Sequence, residues 1–96
     1  MAEGSNLYEN LVVEEDELVQ KVTLCETYQW TILDSISKQG EIGKEIGEEL
    51  LTVVHTIEHD LRTELLHLRI EKGLLAAKLD KEKDIAKLFD QKKSQH

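Results

Sequence analysis

Residues 50–89 read LLTVVHTIEHDLRTELLHLRIEKGLLAAKLDKEKDIAKLF, and the spacing of their apolar side chains decides the architecture. Leu50, Val53, Val54, Ile57, Leu61, Leu65, Leu68, Leu75, Leu79, Ala86 and Phe89 recur largely at steps of three, four or seven, the period of one face of an α-helix. Only Gly73 breaks the run, and the whole chain contains no proline. This predicts a helix over about 42–93, roughly 75 to 80 Å long at 1.5 Å per residue.

Working back from that stretch, Glu41 to Glu49 is ambiguous. Gly43 and Gly47 each lower helix propensity by about 1 kcal/mol relative to alanine, so the segment is either turn or a weak start of the second helix. Before it, Lys38-Gln39-Gly40 has the form of a helix end, with a cation in the last turn and glycine at the left-handed cap. Further upstream Leu18, Val22, Cys25, Ile32 and Ile36 form an amphipathic stripe, widened by Val19, Trp30 and Leu33. The acidic run Glu14 to Glu17 suits a helix N-terminus, where negative charge meets the positive end of the dipole. The first helix is therefore expected over about 14–38, after a flexible leader at 1–13, with a frayed tail at 94–96.

The predicted fold class is all-α: a helical hairpin with one long arm, built into a coiled-coil or helical-bundle oligomer. Folding back at Gly40 sets Ile36 by Ile46, Ile32 by Leu50, Cys25 by Ile57, and Leu18 by Glu64 and Leu65. Leu18, Val22, Trp30, Ile32, Ile36, Ile46, Leu50, Val54, Ile57 and Leu61 are then expected to hold the hairpin. A first helix of about 35 Å covers only half of the second. Beyond Ile70 its apolar side chains need another chain.

That distal half carries two stripes on nearly opposite sides of the axis. One holds Leu61, Leu65, Leu68, Leu75, Leu79 and Ala86, with Lys72 and Glu82 at core positions, and the other Leu66, Ile70, Leu74, Ala77, Ile85 and Leu88. Two stripes call for three or more packed helices. The expected partner interface is Leu65, Leu66, Leu68, Ile70, Leu74, Leu75, Leu79, Ile85, Leu88 and Phe89, with Trp30 as a further anchor.

Charge narrows the function classes. Twelve Lys and Arg against 20 Asp and Glu give a net −8, which disfavours nucleic acid, since such affinity comes from cations displacing counterions at phosphates. The asymmetry is local: residues 1–48 hold 11 acids and 3 bases, residues 49–96 hold 9 of each. No apolar run approaches the length of a membrane span, and residues 1–10 do not read as a secretory signal, so a cytoplasmic setting is expected. Cys25 is the lone cysteine and reads as a buried structural thiol.

Chemistry is thinly signalled. His55-Thr56-Ile57-Glu58-His59 matches the H-x-x-E-H string of inverted zinc peptidases, yet catalysis would also need a third ligand and a cleft. Ordinary surface or interface histidines are the expected reading, with a pH-sensitive polar layer as the sharper one. Tyr8-Glu9-Asn10-Leu11 has the form of a short linear motif. No catalytic residue, cofactor, metal or small-molecule substrate is expected. The expected function is a non-enzymatic scaffold or adaptor subunit, paired with itself as dimer to tetramer or with helical segments of another protein. The alternative is a small helical regulator or chaperone of an enzyme or client.

Overall fold

The computed structural model describes the backbone of residues 2–94 and the side chains of residues 6–88. It is entirely helical over Ala2–Ser94, with no strand among the described residues. One residue breaks the helical path: Gly40, at φ 71° and ψ −149°, a conformation open to glycine because it has no Cβ. A continuous helix of this length would extend for about 140 Å. The molecule instead measures 82 × 17 × 15 Å, because the first arm, residues 2–39, lies back along the second, residues 41–94.

Ion pairs between distant residues fix the register. Glu15 meets Lys72 at 2.6 Å and Arg69 at 2.9 Å, and Glu26 meets Arg62 at 2.6 Å. Away from the turn this register is offset from the one expected for a symmetric fold at Gly40, whereas close to the turn Ile36 packs at Gly47, beside Ile46, and Ile32 lines one groove with Ile46 and Leu50 as expected. Gly40 alone leaves the helical region, and the arms approach closely from Gly43, which lies against Gln39, through Gly47, which sits under Ile36 and Ile32.

The seam follows heptad spacing on both arms. On the first, Tyr8, Leu11, Glu15, Leu18, Val22, Cys25, Gln29, Ile32 and Ile36 are all buried or half-buried, at alternating steps of three and four. On the second, Leu51, Val54, Glu58, Leu61, Leu65, Leu68, Lys72, Leu75, Leu79 and Glu82 repeat the same pattern. The ambiguous segment Glu41 to Glu49 is helix.

The first arm also starts earlier than expected. The helix already includes residues 6–13, and Leu11 is buried, so the acid run does not open the helix; Glu15 is a seam residue inside it. The arm is therefore about 57 Å long rather than 35 Å. Cover does not end near Ile70, since Tyr8 lies at Ala76, Leu79 and Lys83. Residues 1, 95 and 96 lie outside the described residues, and so does most of the tail expected to fray.

Gly47 is buried because a Cβ there would fall inside the Ile36 side chain. Gly47→Ala should cost about 1 to 3 kcal/mol through overpacking, less the roughly 1 kcal/mol that alanine returns in helix propensity. Urea denaturation of Gly47→Ala with and without Ile36→Ala checks this: trimming Ile36 should shrink the cost of the alanine, and an undiminished cost would show that the close approach is not what glycine serves.

Candidate interaction surface

The seam contains two polar layers. In the first, Glu15 accepts hydrogen bonds from Lys72 Nζ and Arg69 Nε. The Lys72 bond, then the Arg69 bond, hold the Glu15 carboxyl below its ordinary value, and the same bond to Glu15 raises the Lys72 ammonium. In the second layer Glu58 is buried, with one carboxylate oxygen 3.5 Å from Arg62, which also reaches Glu26. Gln29 faces that level from the other arm, and its Nε2 is buried with no hydrogen-bond partner. Polar groups at core positions cost stability but restrict how two helices slide.

Glu58 is thus turned into the seam while His55 and His59 are exposed, so the H-x-x-E-H string is divided between two environments. Among the described residues, no group of three or more His, Cys, Asp or Glu is placed to hold a metal ion. No helix among them is long and apolar enough to cross a membrane. Cys25 is buried in the seam, as expected for a structural thiol.

The expected partner interface separates into two sets. Leu65 and Leu68 are buried between this chain's own arms, and Leu75 and Leu79 are half-buried in the same seam. Leu66, Ile70, Leu74, Ile85 and Leu88 are exposed, Leu74 by 68%. Phe89 lies outside the described side chains. Of the residues expected to close the hairpin, Val22 is buried and Leu18, Ile32, Ile36, Val54 and Leu61 are half-buried, but Trp30, Ile46, Leu50 and Ile57 are exposed. Trp30 is 73% exposed, so it anchors nothing within the chain.

The exposed apolar groups are ordered. Ile46, Leu50, Val53 and Ile57 near the turn and Leu74, Ile85 and Leu88 further out share one heptad face beside the seam, whose positions between them are the polar Asp60, Glu64, His67, Glu71, Lys78 and Lys81. Leu7, Leu24 and Tyr28 occupy the corresponding flank of the first arm. Near the turn this flank opens into a groove lined by Ile32, Ile42, Gly43, Ile46, Gly47 and Leu50. A flank of this kind can bury another helix. Comparison with protein-family models, curated proteins and solved structures finds no match for this chain.

Proposed function

We propose that this protein is a non-enzymatic coiled-coil assembly subunit of the cytoplasm, which buries its second apolar track against helices of a larger bundle. The observation that carries the reading is the exposed series from Ile46 to Leu88, spaced at heptad intervals and separate from the seam that closes the two arms. Scattered exposed leucines need no explanation, but apolar clusters at both ends of one helix face, with Ile46 to Ile57 at the turn and Ile85 and Leu88 at the far end, are what a partner helix would cover. Exposed Trp30 supports a second reading, in which the opposite flank engages a client or enzyme as a small regulator.

Light scattering behind size exclusion, combined with far-UV circular dichroism over a concentration series, tests the first reading. A helical species of two to four chains is expected. A helical monomer at every concentration that also binds no apolar dye would sink it.

A further inference from the structure

We infer that the exposed heptad track docks a second copy of this chain in antiparallel orientation, around a two-fold axis that passes beside Glu71. The inference rests on the assembly reading above and commits it to one occupant. Its basis is the order of charges along the track. From the turn outward the second arm presents apolar Val53 and Ile57, then acidic Asp60 and Glu64, then basic Lys78 and Lys81, then apolar Ile85 and Leu88, all exposed.

An identical arm reversed about Glu71 brings each block onto its complement. Glu64 comes opposite Lys78, Asp60 opposite Lys81, and Ile57 opposite Ile85. The same rotation sets the first arms side by side. A self-complementary patch of this kind is what a two-fold interface requires. The apolar ends supply the affinity, and the charges select the direction. The unfavourable elements are Glu71 beside its own copy on the axis, with Glu14 brought to the same level by the Glu15–Lys72 pair, and Leu74 opposite His67.

The full chain, with Glu64→Lys, Lys78→Glu and the double exchange, separates the alternatives by sedimentation equilibrium. Each single reversal acts twice per dimer and should weaken association by about ten-fold or more. The double exchange should return it to within about three-fold of the unaltered chain. Both positions are exposed and outside the seam, so unchanged helicity and melting temperature should accompany all three variants. In parallel, Glu71→Cys should form a covalent dimer on mild oxidation, whereas Ile57→Cys should not.

A double exchange weaker than either single variant, or absent self-crosslinking at position 71, overturns the antiparallel pair. An unaltered chain that stays monomeric yet binds apolar dye overturns the second copy as occupant and leaves the broader assembly reading standing. A monomer that binds no dye removes both.

Discussion

Leu65→Asp should strip the protein of much of its stability, and Leu66→Asp, one residue later, should leave its stability nearly unchanged. Leu65 is 7% exposed within the seam, and Leu66 is 57% exposed on the far side of the same helix. Truncating a buried leucine to alanine costs about 2 to 5 kcal/mol. An unpaired carboxylate at the same place adds the loss of its hydration, for a total beyond about 4 kcal/mol. Small domains are stable by only about 5 to 15 kcal/mol, so such a loss removes a large part of the margin and the urea midpoint should fall sharply. Far-UV circular dichroism with urea titration reads the result. Equal loss in both variants would mean that Leu66 is covered as fully as Leu65, and the division of the second arm into an inner seam and exposed flanks would be wrong.

That division was half legible in the sequence. Periodicity alone separates the stripe of Leu61, Leu65, Leu68, Leu75 and Leu79 from that of Leu66, Ile70 and Leu74, because helical geometry puts them on different faces. It does not say what covers each stripe. The answer depended on the length of the first arm, and the signals there were masked. Gly4, Ser5 and Asn6 have the composition of a loose leader, and Tyr8 and Leu11 are too few to establish a period. Glu15 and Gln29 then occupy two of the first arm's heptad positions, which breaks the apolar pattern in the places where the heptad would otherwise be read.

The turn shows the same limit. Gly40 is marked as a break by its lysine-flanked context, and it is the break. The register is not local information, because it is set by Glu15 meeting Lys72 and by Gly47 admitting Ile36, contacts between residues far apart in the chain. Trp30 shows the converse. Aromatic size suggested burial, but its place on the outer flank of the first arm leaves it in water.

The cluster of Glu15, Lys72 and Arg69 should be the most charge-sensitive part of the fold. Glu15→Lys puts three cations together in the seam and should lower the melting temperature more than a reversal at any exposed site away from it. Glu15→Lys combined with Lys72→Glu restores an opposite pair at the same level and should recover most of the loss. Recovery tests the contact itself, because two independent defects would add. The pH dependence follows from the two displaced groups. The folded Glu15 carboxyl lies below its ordinary 4.5, so its contribution is complete above that value and is lost as pH falls through the folded one. Lys72 lies above its ordinary 10.5, so its contribution is complete below that value and is lost as pH rises through the folded one. The melting temperature of the unaltered chain should therefore fall at both extremes. In Glu15→Gln the acid-side fall should shrink, since the group that titrates there is gone. An acid limb as steep in Glu15→Gln as in the unaltered chain would show that Glu15 is not the source of the acid sensitivity.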